Sequence, residues 1–146
     1  MFPKPRKINQ YRRKGKNLIA TNKIKPEKWN ISEAETKEAL RVKGYDVKKI
    51  KKICCLKHQA CISYWDAKGN ICSSFFSYRI FARWQEEAEK LIYTCQTLKE
   101  WAKLNYVMKY EFAYYHYPSE MEDALQGTLE NHLTVLKETL QQVVLQ

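Results

Sequence analysis

Residues 60–104 constrain the fold of this chain more than any other stretch, because the spacing of their hydrophobic residues changes part-way along. Two runs rich in aromatic and β-branched residues, 61–65 and 71–76, flank a short polar turn, which is the pattern of a β-hairpin. Gly69 in this turn can adopt the positive φ that a tight hairpin requires. From Phe81 onward the apolar residues recur every three or four positions, which predicts one long amphipathic helix.

The hairpin and the helix can bury their apolar surfaces against each other. A two-stranded hairpin is only marginally stable, so a third strand is expected. Residues 50–56 fit a strand or a helix by spacing alone, and the need for a third strand favours the strand. The sequence therefore predicts an α+β domain over residues 45–104, with a small three-stranded antiparallel sheet packed on one long helix.

Further elements are predicted on both sides of this domain. Ser32 and Glu35 have the spacing of a capping box, which predicts a short helix over residues 32–44. Residues 105–117 are rich in tyrosine, and we interpret them as packing on the core rather than as a surface for stacking bases. Residues 118–146 are predicted to form a C-terminal amphipathic, acidic helix.

The C-terminal helix carries a narrow leucine stripe, and from residue 111 onward the chain has six acidic residues against one basic residue. Such a helix is expected to contact protein rather than nucleic acid, by packing back on the domain, by forming a coiled coil or by docking on another subunit. The predicted protein-contact residues are Leu125, Leu129, Leu133, Leu136 and Leu140.

The net charge of +10 lies in the N-terminal part of the chain. Residues 1–52 hold 17 Lys/Arg and 5 Asp/Glu, whereas residues 53–146 hold 9 and 11. Residues 1–31 are predicted to be a basic extended arm, because this segment has too little apolar surface to fold alone. Lys and Arg side chains neutralise phosphates and release counterions, so we expect RNA as the partner. The predicted nucleic-acid-binding residues are Lys4, Arg6, Lys7, Arg12, Arg13, Lys14, Lys16, Lys23, Lys25, Lys48, Lys49, Lys51 and Lys52.

Two other interpretations of the arm are open. A solubilising tail would also be basic, but the one-sided charge distribution favours nucleic acid. An organelle-targeting presequence would also lack acidic residues, but the first 26 residues are rich in lysine, contain no serine and suggest no amphipathic helix.

The sequence contains no pattern typical of a catalytic or metal site. It has no nucleophile elbow, no glycine-rich phosphate loop and no helical zinc motif, so no enzymatic activity and no cofactor are predicted. Asp66 and Glu111 are interpreted as solvated charges. No apolar run is long enough to span a membrane, which predicts a soluble protein without a membrane partner.

The five cysteines form no spaced framework, which indicates reduced thiols in an intracellular protein. Cys55, His58, Cys61 and Cys72 could be interpreted as zinc ligands. However, no two of the cysteines have the CxxC spacing of a zinc knuckle, and Cys61 alternates within a predicted strand, so no metal is predicted.

Three segments, ACISYWDAKGN, ICSSFFSYRIF and RWQEEAEKLI, make residues 60–104 resemble the DNA-binding domain of the ethylene-response-factor (Apetala-type) family. They match the second strand and its turn, the third strand and the start of the helix, and the resemblance covers about a third of the chain. It implies a three-stranded sheet on one long helix. It also implies a DNA-reading sheet face, opposite the helix, from which Arg and Trp project.

This sequence departs from the family on that face. If Ser63 and Trp65 face the helix, as the alignment suggests, the outer residues of the second strand are Ile62, Tyr64 and Asp66. Those of the third strand are then Ile71, Ser73 and Phe75. None is Arg or Lys, so bidentate readout of guanine is not expected from these strands. The expected contacts of this face are neighbouring proteins or the chain's own extensions.

Two functions are therefore predicted. The first is a non-enzymatic, structural rRNA-binding subunit of a ribosome, with the mitochondrial matrix as one possible compartment, that holds RNA with its basic arm. The second is a sequence-specific DNA-binding transcription regulator of the Apetala-type family. The rRNA-binding function requires the basic residues on the N-terminal arm, whereas the DNA-binding function requires them on the sheet. The sequence has most of them on the arm, which favours the rRNA-binding function.

Overall fold

The computed structural model describes residues 16–145, and their side chains up to residue 142. Residues 24–88 form one compact unit, the sheet unit, and residues 16–23 with 89–145 form a second, the helical unit. In chain order the helices and strands are α1 (Glu33–Lys43), β1 (Val47–Cys55), β2 (Gln59–Asp66), β3 (Ile71–Ser77), α2 (Ala82–Thr94), α3 (Leu98–Tyr114) and α4 (Ser119–Leu145). Within residues 16–145, short 3₁₀ helices lie at Pro26–Lys28 and Tyr78–Ile80.

The sheet is three-stranded and antiparallel, in the order β1-β2-β3, which confirms the predicted α+β fold class. The segment of ambiguous spacing is a strand, β1, and it starts earlier than predicted, at Val47. In the turn between β2 and β3, Gly69 has a φ of +84°. The Asp66 carboxylate accepts hydrogen bonds from the backbone N–H groups of Lys68 and Asn70, both at 2.9 Å, and so closes this turn.

Helix α1 has a capping motif at each end. The Ser32 hydroxyl accepts a hydrogen bond from the Glu35 N–H at 3.0 Å, and the Glu35 carboxylate accepts one from the Ser32 N–H at 3.4 Å. This reciprocal pair is the predicted capping box. Gly44, with a φ of +101°, ends the helix in the left-handed conformation.

The predicted single long helix is wrong, because the chain forms α2 and α3 instead. The Thr97 hydroxyl accepts a hydrogen bond from the Glu100 N–H at 3.1 Å, and so caps a new helix. Of the helices, α1 has the most extensive packing on the sheet, through β1. Leu40 of α1 and Ile62 of β2 are fully buried in this core, together with Trp84 at the start of α2.

The helical unit is built on α3 and α4, which pack on each other. The Trp101 indole N–H of α3 donates a hydrogen bond to the Leu129 carbonyl of α4 at 2.9 Å. Tyr110 and Tyr117 are buried, which agrees with the interpretation of residues 105–117 as a packing segment. In contrast, Tyr106 is 63% exposed.

The predicted extended arm of residues 1–31 is too long. Leu18 and Ile19 are buried in the helical unit, where a chain of turn hydrogen bonds runs from Asn17 to Lys23. Pro26 is buried in a 3₁₀ helix of the sheet unit. A small apolar cluster cannot fold alone, but it can be buried against other parts of the chain. The prediction of an extended arm considered only whether the segment could fold by itself.

Glu111 is fully buried, so its interpretation as a solvated charge is wrong. Its carboxylate accepts hydrogen bonds from the Leu18 N–H at 3.0 Å and from the Tyr117 hydroxyl at 2.5 Å. The side chain of Asn17 donates to the Tyr115 hydroxyl at 2.8 Å. A buried carboxylate requires such donors, and here they attach residues 17–18 to the segment around the end of α3.

Candidate nucleic-acid interface

One face of the sheet is exposed, and the strand register determines which residues share it. Residues directly opposite each other on antiparallel strands project to the same side. Three cross-strand rows define what we call the exposed face: Lys49, Trp65 and Ile71; Lys52, Ser63 and Ser73; and Cys54, Cys61 and Phe75.

This register reverses the predicted orientation of the second strand. Ile62 and Tyr64 are 0% and 6% exposed and belong to the core, so Ser63 and Trp65 do not face it. The core accepts the apolar residues Ala60, Ile62 and Tyr64, which alternate along β2 with half-buried residues. The outward orientation of β3 is as predicted, and Ile71 and Phe75 are each 59% exposed.

Two irregularities in β1 bring additional lysines to the exposed face. The register shifts between Val47 and Lys49 and again between Ile50 and Lys52. Each shift inserts one extra residue, as in a β-bulge, which re-aims side chains and increases the local twist. Ile50 nevertheless remains in the core, with 3% exposure. The Lys51 ammonium lies 5.8 Å from the centre of the Trp65 ring, within the range of a cation–π contact.

The exposed face thus combines charge, aromatic surface and hydroxyl groups. The Ser63 and Ser73 hydroxyls are 3.0 Å apart and hydrogen-bonded to each other at its centre. Lysine ammonium groups can pair with phosphates, and Trp65 and Phe75 offer rings on which bases can stack. These groups are chemically able to contact phosphates and unpaired bases.

The structure places only some of the predicted nucleic-acid-binding residues. It brings Lys49, Lys51 and Lys52 together on the exposed face, and Lys48 next to them is also exposed. The exposed residues Lys16 and Lys23 belong to the helical unit, and Lys25 belongs to the sheet unit. The predicted arm residues Lys4, Arg6, Lys7, Arg12, Arg13 and Lys14 lie outside the described residues.

The predicted leucine stripe of α4 packs back on the chain, which was one of the predicted alternatives, and only part of it is left for contact with another protein. Leu125, Leu129 and Leu136 are buried within the chain, with 0%, 2% and 9% exposure, because α4 packs on α3. Only Leu140, which is 52% exposed, and the half-buried Leu133 retain surface that another protein could contact.

The end of the sheet near the β1–β2 hairpin has its own electrostatics. Partial burial lowers the pKa of His58, and the positive charges of Lys57 and Arg79 lower it further. Burial also raises the pKa of Cys55. Tyr78 is fully buried and donates a hydrogen bond to the Leu56 carbonyl at 2.5 Å, and burial raises its pKa.

A search of the described residues finds no group of three or more His, Cys, Asp or Glu side chains placed to hold a metal ion. In the same part of the chain, no helix is both long enough and apolar enough to cross a membrane. Comparison of the chain with protein-family models, with curated proteins and with solved structures finds no match. The Apetala-type resemblance therefore stays a prediction from the sequence.

Proposed function

We propose that this protein is a non-enzymatic RNA-binding subunit of a large ribonucleoprotein, with a ribosome as the first candidate and a mitochondrial ribosome as one form of it. The observation that carries the proposal is the exposed face, where Lys49 lies opposite a partly exposed Trp65, Lys51 lies over its ring and Lys52 lies in the next cross-strand row. The strongly basic N-terminal segment supports it, because its many cations would add phosphate contacts.

The chemistry of the exposed face favours RNA with unpaired bases over a specific duplex sequence. Among the described residues, this face carries lysine but no arginine. Lysine acts as a point charge on phosphate, whereas guanine readout in the major groove is strongest with a bidentate donor such as arginine. Exposed aromatic rings contribute only where bases can be splayed out and stacked, as in single-stranded loops.

The second candidate function is a DNA-binding regulator of the Apetala-type family. One observation favours it: lysine and tryptophan share the exposed sheet face, which is the kind of surface that the resemblance implies for DNA reading. The two candidates therefore use the same surface and differ in the nucleic acid that it holds.

We also propose a protein neighbour for the distal part of α4. Val135 and Leu140 are 50% and 52% exposed there. Partial apolar exposure on an acidic helix suits contact with a protein in the same particle better than contact with RNA.

A salt titration tests the main proposal. The full chain and a variant with Lys49→Gln, Lys51→Gln and Lys52→Gln are titrated with a single-stranded RNA at several salt concentrations. If all three lysines contact phosphates, the slope of log affinity against log salt becomes shallower by about 2 in the variant. The matched control replaces three exposed lysines of α3 with glutamine: Lys99, Lys103 and Lys109.

Four outcomes separate the possibilities. A shallower slope for the sheet variant but not for the α3 variant supports the exposed face as the RNA site. Equal slopes for both variants contradict it. Tighter binding of one duplex-DNA sequence than of any RNA favours the DNA-binding regulator. Absence of the full chain from purified ribosomal particles contradicts the proposal that the RNA-binding subunit belongs to a ribosome.

A further inference from the structure

Cys54 and Cys61 lie directly opposite each other in the β1–β2 pair. Opposite residues of an antiparallel pair project to the same side, so both thiols lie on the exposed face. Cys54 is exposed and Cys61 is partly exposed. Two thiols that share one face of a sheet, with one of them open to solvent, can be joined into a disulfide by thiol–disulfide exchange with an external disulfide.

The Cα spacing of this pair lies within the range of disulfides, and the two Cβ atoms have to move closer than the roughly 4.5–5.5 Å typical of opposite residues for the bond to form. The Leu56 N–H donates a hydrogen bond to the Gln59 carbonyl at 3.0 Å and closes the hairpin. Hydrogen-bonded and non-hydrogen-bonded pairs alternate along an antiparallel ladder, so the Cys54–Cys61 pair, two positions further along, is again hydrogen-bonded, with Cα atoms about 5.5 Å apart. Disulfides most often have Cα separations of about 5.5–6 Å.

The other cysteines lack this arrangement. Cys55 lies opposite Ala60 and Cys72 lies opposite Tyr64, so both belong to the other face of the sheet. Cys95 is buried and belongs to the helical unit. Within the described part of the chain, Cys54 and Cys61 are thus the cysteine pair that the strand register brings together.

We propose that Cys54 and Cys61 form a dithiol modification site that reacts with small disulfide-containing molecules. The Cys54 thiolate attacks one sulfur of the small disulfide, forms a mixed disulfide and releases one small thiolate. The Cys61 thiolate then attacks the Cys54 sulfur, forms the Cys54–Cys61 bond and releases the second small thiolate. The two protein thiols are oxidised, the small disulfide is reduced to two thiols, and these take up the two protons that the cysteines lose.

The test is a reaction of the full chain with oxidised glutathione, followed by blocking of free thiols, trypsin digestion and mass spectrometry. Trypsin cleaves after Lys52, Lys57 and Lys68, so one peptide carries Cys54 with Cys55 and the next carries Cys61. We expect these two peptides to be recovered as a disulfide-linked pair that a reducing agent separates.

Single Cys→Ser substitutions identify which two cysteines form the bond. Cys54→Ser should abolish the linked pair and leave Cys61 free or joined to glutathione, and Cys61→Ser should leave a glutathione adduct on Cys54. Cys55→Ser is the matched control, because it changes the adjacent residue on the opposite face and should retain the linked pair. Circular dichroism of each variant checks that the fold is unchanged.

Two results would overturn the proposal. One is a linked pair that survives in Cys54→Ser but is lost in Cys55→Ser. The other is glutathione attached to Cys54 and Cys61 separately, with no linked pair, in the unsubstituted chain. Neither result depends on nucleic-acid binding, so this proposal and the proposed function can fail independently.

Discussion

The two faces of the sheet are made from the same three strands, yet they have opposite chemistry. The buried face carries apolar side chains such as Ile62 and Phe76, whereas the exposed face carries lysines around Trp65 and a pair of hydrogen-bonded serines. Because side chains alternate along a strand, each residue contributes to only one face. Stability should therefore depend on the buried face and the proposed nucleic-acid binding on the exposed face, and substitutions at adjacent positions can separate the two.

The largest effect is expected from Ile62→Ala. Ile62 is fully buried, and removing a buried isoleucine side chain to alanine typically costs roughly 2–5 kcal/mol, because a cavity is left behind. Urea unfolding measures this change in the free energy of unfolding. Ser63→Ala, one residue along and on the exposed face, should change stability by only about 0.5 kcal/mol. Equal losses from both variants would show that the faces are not divided in this way.

The next largest effect is on RNA affinity and comes from Trp65→Ala. Loss of one aromatic stacking partner weakens single-strand binding by about 1–3 kcal/mol, a decrease of roughly fivefold to a hundredfold in affinity. Fluorescence anisotropy with a labelled single-stranded RNA measures it. Tyr106→Ala removes an exposed aromatic residue of α3 and serves as the control, since it should leave the affinity unchanged. A larger loss for Tyr106→Ala than for Trp65→Ala would locate the stacking surface elsewhere.

Local signals account for the parts of the fold that were predicted correctly. The turn at Gly69 and the capping box between Ser32 and Glu35 are encoded within a few residues, and both are present. The break between α2 and α3 had a signal of the same kind, because Thr97 and Glu100 have the spacing of a capping box. It was missed because the apolar repeat continues across it.

The site was harder to predict, because its geometry depends on partners that are distant in sequence. The lysines of β1 were predicted as binding residues, but the position of Trp65 beside them was not. A shift of one residue in the strand pairing moves every side chain of a strand to the opposite face. The irregularity at Lys51 arises from the pairing of β1 with β2, so the sequence of β1 alone does not reveal it. The contact of Glu111 with Leu18, 93 residues away, likewise leaves no local pattern.

A smaller effect is expected from Tyr78→Phe, on the stability of the sheet unit. The substitution keeps the buried ring and removes the hydroxyl that donates to the Leu56 carbonyl at the β1–β2 hairpin. Loss of such a hydrogen bond costs about 1 kcal/mol. Thermal unfolding should detect it, and RNA affinity measured well below the melting temperature should stay the same. A fall in affinity without a fall in melting temperature would mean that the hairpin itself contacts RNA.

The smallest effect is expected on the free energy of unfolding at acid pH, and it comes from Glu35 of α1. Partial burial opposes ionisation of Glu35, but hydrogen bonds from Arg83 and from the Ser32 N–H outweigh it and hold the pKa of Glu35 below its usual value. The folded state then binds this proton less readily than the unfolded state, so the stabilisation is fully present above pH 4.5, the ordinary value, and is lost as the pH falls below it.

The free energy of unfolding, measured by urea titration at a series of pH values, should fall below pH 4.5 less steeply in Glu35→Gln than in the unsubstituted chain. Glu38→Gln is the comparison, because its Arg41 partner lies on the surface and salt screens that pair more strongly. Identical acid slopes for Glu35→Gln and the unsubstituted chain would mean that the Glu35–Arg83 pair does not stabilise the fold.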